Sequence, residues 1–142
     1  MIKLTVEIPV PIEVAWVYIT DTAHLRCWWN DGVRLDPAIG GTFSEPWTDA
    51  AGRPMVTSGR VLSLKEPYEL RLSWSDEGCG WPVETEVTFE LAETPGGTRL
   101  TLTHGGWQGF RENDRDHLVD IHRQGWSHHL RNLAAYALRD AA

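Results

Sequence analysis

From its second residue the chain alternates. Ile2, Leu4, Val6 and Ile8 hold the apolar positions and Lys3, Thr5 and Glu7 the polar ones, the period-2 pattern of a strand with one buried face. Pro9 and Pro11 end it, and Pro11 suits the first position of a helix, where a missing N–H costs nothing. That short helix carries Ala15, Trp16 and Ile19. Asp21 is placed to cap a second short helix that runs through Leu25 to Trp29, and Asn30-Asp31-Gly32 reads as a turn. Alternation then returns. Val33 and Leu35 form a short strand, and Phe43, Glu45 and Trp47 share a face after Gly40-Gly41. A hairpin loop at Ala50-Ala51-Gly52 leads into a less cleanly patterned strand over residues 55–64. Tyr68, Leu70, Leu72 and Trp74 share a face after the Glu66-Pro67 turn. A loop over residues 76–82 precedes the alternating set Val83, Thr85, Val87, Phe89 and Leu91. Leu100, Leu102 and His104 follow the turn Pro95-Gly96-Gly97. Consecutive strands joined by tight turns predict an antiparallel meander with one apolar face.

The period changes to 3.6 for the last stretch, residues 118–138. On a helical wheel Leu118, Val119, Trp126, Leu130, Leu133, Tyr136 and Ala137 fall on one side, and His122 and His129 fall with them. Asp120, Arg123, Gln124, Ser127 and Arg131 take the other side. A helix of that length spans roughly 30 Å, so its apolar stripe needs the whole sheet as cover. Asn113 or Asp114 can cap it, and Asp114 and Asp116 suit the positive end of its dipole. Within the stripe, the edge of His122, Gly125 and His129 differs from that of Trp126, Leu130 and Leu133. The first is expected to be a cavity wall and the second a core seal.

Composition narrows this picture. The chain has 142 residues, 42% of them apolar, which fits one folded domain over residues 1–142. A net charge of −7 without a basic run opposes nucleic-acid and anionic-membrane binding. The alternating N-terminus is unlike a signal peptide, and no apolar segment is long enough to span a bilayer. With no CxxC, Cys27 and Cys79 read as free thiols in a reducing compartment, so a cytoplasmic location is expected. The unusual count is eight tryptophans, since broad rings build pockets as well as cores.

Three histidines face the predicted interior: His104 by strand parity, His122 and His129 by the helical stripe. A buried imidazole needs a partner. The plain reading satisfies each with a neighbouring group; together they raise the prospect of a polar patch in a pocket. Metal binding is not expected, because His122 and His129 stand about 10.5 Å apart along a helix and nothing matches HExxH. Glu45 lies between Phe43 and Trp47, where a buried carboxylate would have a raised pKa and act as acid or base. The plainer alternatives are a strand-end residue reaching solvent or a bulge that flips the parity. Gly125 sits mid-helix at a cost of about 1 kcal/mol against alanine, either for close packing or to leave room for a ligand. There is no GxSxG, and the paired glycines at 40–41, 96–97 and 105–106 lack the strand-to-helix setting of phosphate loops.

The ordered set Trp28-Trp29, Gly40-Gly41, Gly59-x-Val61, Pro67 with Trp74, Gly97-Thr98-x-Leu100-x-Leu102-x-His104 and Gly125-Trp126-x3-Leu130-x2-Leu133 resembles a known family. Its members are single-domain proteins similar to the C-terminal domain of the activator of the Hsp90 ATPase, within the SRPBCC superfamily of START-like or Bet v 1-like helix-grip domains. The resemblance covers nearly the whole chain. It implies an α+β helix-grip fold: a curved antiparallel sheet of six or seven strands around a long C-terminal helix, with two short helices after the first strand and a cavity between sheet and helix. It supplies no shared catalytic set. Ala15-Trp16 stands where Val-Trp is frequent, Trp107 where phenylalanine is more usual, and the loop Gly78-Cys79-Gly80-Trp81-Pro82 is particular to this chain and placed to shape the cavity mouth. The length leaves no room for the eukaryotic activator's separate N-terminal domain, which weakens a chaperone-modulating reading.

The leading expectation is therefore binding of a small hydrophobic or aromatic molecule, by a monomer or homodimer that needs no cofactor. Trp28, Trp47, Trp74, Trp107 and Trp126 are the candidate walls, His104, His122 and His129 the orienting groups, and Glu45 and Gly125 complete the set. The alternatives are an aromatase-, cyclase- or hydrolase-type enzyme using a cavity histidine or Glu45, and a domain that modulates a chaperone ATPase.

Overall fold

The computed structural model describes residues 1–141. Strand β1 (Ile2–Ile8) is followed by two short helices, α1 (Ile12–Thr20) and α2 (Thr22–Trp28). Six strands come next: β2 (Arg34–Leu35), β3 (Thr42–Thr48), β4 (Pro54–Lys65), β5 (Glu69–Asp76), β6 (Thr85–Thr94) and β7 (Gly97–Gly105). A 3-10 turn (Trp107–Gly109) leads into the long helix α3 (Glu112–Ala141). The strands form one antiparallel sheet in the order β1-β7-β6-β5-β4-β3-β2, so the meander closes only by the first strand joining the last. This is the helix-grip arrangement.

Strand parity holds where alternation is clean. Thr85, Val87, Phe89 and Leu91 of β6 and Thr98, Leu100, Leu102 and His104 of β7 are all buried. Two expected members fall outside: Tyr68 and Val83 sit in the turns that precede β5 and β6 and are exposed. The irregular pattern of β4 has a local cause. Its register against β5 shifts between Val61 and Ser63, and such a bulge breaks the period and turns the strand. At Gly59 a Cβ would run into the Ser73 carbonyl oxygen, so only glycine permits this close approach.

Helix α3 begins earlier than expected. The Arg111 carbonyl accepts the Arg115 N–H at 2.8 Å, so Asn113 and Asp114 lie inside the first turn and neither is the cap. Asp21 does cap α2, accepting the Ala23 N–H at 2.8 Å. The backbone of α3 approaches the sheet most closely at β1. Leu130, Leu133 and Ala137 are buried on that side. Toward β3–β5 the gap is filled by large rings, and there a cavity remains.

Candidate functional site

The cavity, of about 280 Å³, lies between α3 and strands β3–β5. That lies just below the usual range for ligand pockets, roughly 300–1,000 Å³. Its sheet side follows from register. Glu45 pairs with Thr57 across β3 and β4, and Thr57 with Asp76 across β4 and β5. The three side chains therefore stand abreast in one row, with Trp47 and Trp74 one pleat away. The helix contributes Ile121, His122, Gly125, Trp126 and His129, positions three and four apart on a single face.

Polar groups in this wall divide into the satisfied and the unsatisfied. The Trp47 indole donates to Thr57 Oγ1 at 2.9 Å, and that hydroxyl donates to Asp76 Oδ1 at 2.6 Å. The Trp74 indole donates to His122 Nε2 at 3.2 Å; an indole nitrogen can only donate, so His122 carries its proton on Nδ1 and gives it to the Leu118 carbonyl at 2.8 Å. Burial lowers the His122 pKa below its ordinary value, and the bond to Leu118 partly opposes this. Two buried atoms have no partner among the described residues: Trp29 Nε1 and His129 Nδ1. Burial takes the His129 pKa down to about 4, with repulsion from His128 adding to it, so this imidazole is neutral at pH 7. Burial pushes Glu45 up to about 7. The Asn30 amide lies at 3.5 Å, too long for a strong bond, and gives its better contact of 2.7 Å to the Pro46 carbonyl. The Trp29 indole is near enough to hold Glu45 down slightly but falls outside hydrogen-bond geometry, and Asp76 repels the charge.

Of the candidate residues, Glu45, Trp47, Trp74, His122, Gly125, Trp126 and His129 line the cavity. Trp28, His104 and Trp107 lie outside that lining. Trp28 stacks on the far side of Trp29, with ring centroids 5.7 Å apart, and donates its N–H to the Tyr18 carbonyl at 2.9 Å. His104 is fully buried one layer deeper. It accepts the Trp126 N–H on Nδ1 at 3.1 Å and gives its Nε2 proton to Thr85 at 2.8 Å. Burial, followed by repulsion from His122, drives its pKa well below the ordinary value. Trp107 covers His104, with ring centroids 4.5 Å apart, and donates to its carbonyl at 3.0 Å.

A Cβ at Gly125 would meet nothing within 4 Å, so close packing is not the reason for the glycine. Thr57, Asp76 and Ile121 were missed. Asp76 continues the parity of Leu72 and Trp74, and Ile121 lies one helical turn before Gly125, whereas Thr57 needed the register. Trp29 was missed as well. It stacks on Trp74 with centroids 6.1 Å apart and meets Trp126 edge-on at 5.1 Å. A wider outer chamber of about 600 Å³ shares Trp47, Asp76 and Ile121 with the cavity and is bounded by Cys79, Gly80, Trp81 and Pro82. The loop after β5 thus borders the mouth.

The profile of the Activator of Hsp90 ATPase homolog 1-like protein family matches residues 9–137. The chain belongs to this family. Solved structures of the Activator of Hsp90 ATPase homolog 1-like fold superpose along its length. The AHSA1 protein from Silicibacter pomeroyi is 26% identical with a TM-score of 0.78, covering 98% of each chain. A protein from Mesorhizobium loti is 23% identical with a TM-score of 0.78, covering 97% of this chain and 96% of its own. DynU16, from the dynemicin biosynthetic locus, is 21% identical with a TM-score of 0.73; the match covers 95% of this chain and 46% of DynU16. A comparison with curated protein sequences finds no match. Among the described residues no helix is long and apolar enough to cross a membrane.

Proposed function

We propose that this protein is a binding module for a small aromatic or hydrophobic molecule held between α3 and strands β3–β5. The observation that carries this reading is Gly125. A helix interior gives up about 1 kcal/mol to hold glycine instead of alanine, and here that glycine faces open space instead of a packed neighbour. Around the opening stand the rings of Trp47, Trp74 and Trp126 with a few polar groups, the makeup of a ligand pocket. The test is a titration with benzyl alcohol, p-cresol and 2-naphthol, followed on the indole N–H resonances of Trp74 and Trp126. The resonances should move in the parent protein and stay fixed in Gly125→Leu, whose leucine fills the space. An unchanged response in a folded Gly125→Leu protein would sink the reading.

One observation favours a second reading. Glu45, raised to about 7, lines the cavity and is poised as a general acid or base near neutral pH. An enzyme of the aromatase, cyclase or hydrolase type would rest on Glu45 or His129, since both nitrogens of His104 and of His122 are engaged. Turnover of activated aryl esters that disappears in Glu45→Gln would support Glu45; turnover that survives would not.

A further inference from the structure

We infer that the ligand of this cavity is an organic cation, a protonated amine or quaternary ammonium on a small aromatic or apolar body, seated with its charge between Glu45 and Asp76. This rests on the binding reading above and narrows it to a class of ligand.

Charge sets the argument going. The ionisable side chains in the wall are Glu45, Asp76, His122 and His129; among the described residues no lysine or arginine lines the cavity. His122 has both nitrogens occupied, so it offers an incoming group neither a donor nor a lone pair. An anionic ligand would meet two carboxylates and no cation. A cation meets the reverse.

Geometry gives the seat. Glu45, Thr57 and Asp76 stand in one row on three adjacent strands. The outer two are separated by two strand spacings, roughly 10 Å between Cα atoms, with the side chains reaching inward from either side of Thr57. Asp76 is held in orientation by the Thr57 hydroxyl at 2.6 Å, itself held by the Trp47 indole. Glu45 has only the long Asn30 contact at 3.5 Å and so lacks a strong counter-group. Trp47, Trp74 and Trp126 complete the enclosure, and indole faces attract desolvated cations. Carboxylates beside indole rings suit an ammonium group. His129 Nδ1, buried without a partner, is free in its Nε2–H tautomer to accept a hydrogen bond from a protonated amine. The net charge of −7 raises the local concentration of cations around the mouth.

The test compares benzyltrimethylammonium with neopentylbenzene, its uncharged isostere of nearly the same shape. Both are titrated at pH 8 against the parent protein, Glu45→Gln, Asp76→Asn and Gly125→Leu. The cation should bind roughly tenfold or more tightly than the isostere. Glu45→Gln or Asp76→Asn should weaken the cation by about threefold or more and leave the isostere unmoved. The inference is overturned if the isostere binds as tightly as the cation, or if neither carboxylate variant weakens the cation. Gly125→Leu separates that failure from failure of the binding reading. Isostere binding that Gly125→Leu abolishes keeps the cavity as a binding site and overturns only the cation. Cation binding that persists in Gly125→Leu, or no binding of either probe, overturns both.

Discussion

The two halves of α3 are packed in opposite ways. The later half is closed: Leu133 and Ala137 are fully buried, the Tyr18 hydroxyl bonds to Asp140, and the Tyr136 hydroxyl meets His24 Nδ1 at 2.6 Å. Burial and neighbouring negative groups push the Tyr136 hydroxyl up to about 12, so it stays a neutral partner. The earlier half is open. His122, Gly125 and His129 face a cavity, and His129 keeps an unpartnered nitrogen. One helix thus carries a seal and a wall, and the division comes from residue size. Buried Leu133 and Ala137, with the bonds to α1 and α2, close the later half. The rings of Trp29, Trp74 and Trp126 hold the helix off β3–β5, and Gly125 leaves the remaining space empty.

The largest effect should come from breaking the seal. Leu133→Ala removes a fully buried side chain from the closed half and should cost roughly 2–5 kcal/mol, read by urea unfolding. Ile121→Ala, at the exposed rim of the open half, should cost far less. A similar loss for both would erase the distinction between seal and wall.

Lowering the pH acts on the open half and on the layer behind it. His104, His122 and His129 all have folded pKa values below the ordinary 6.5, so between those values the unfolded chain binds more protons. Their contribution is complete above pH 6.5 and is lost as the pH falls through each folded value, which for His129 is about 4. Glu45 runs the other way. Raised from 4.5 to about 7, it contributes fully below pH 4.5, and this is lost as the pH rises through 7. Glu45→Gln should therefore be more stable than the parent at pH 8, by on the order of 1 kcal/mol, with the gain shrinking below pH 5. Thermal unfolding at the two pH values checks it, and a gain of equal size at both would show that charge burial is not the cause.

The smallest effect sharpens the comparison most. Gly125→Ala places a methyl group in open space and gains helix propensity, so the variant should be more stable by up to about 1 kcal/mol. Calorimetric melting would measure it. Destabilisation would mean that the wall is already packed.

Much of the fold was legible because strands repeat every two residues. One register choice assigns a whole face, as in Val87, Phe89 and Leu91. The boundaries were less legible. Tyr68 and Val83 continue an alternation that the sheet does not use, since alternation carries no mark of where pairing stops. The site divides along the same line. His122, Gly125 and His129 share a helical face that spacing alone reveals. Trp28 and Trp29 stack on each other at the end of a short helix, and nothing local says which one meets Trp74 and Trp126. Thr57 became visible only with the pairing of three strands, because a row across a sheet joins residues far apart in the chain.

The hydrogen bonds behind the cavity wall all run in one direction. The Trp126 indole gives to His104, His104 gives to Thr85, and the Thr85 hydroxyl gives to the Trp74 carbonyl at 3.0 Å. A proton wire needs every link to reverse, and this chain cannot: an indole at its head has no lone pair to accept with, and a peptide carbonyl at its tail has no proton to return. The buried histidine therefore insulates. Whatever protonation changes a guest brings to Glu45 have no conducting route through this chain into the core.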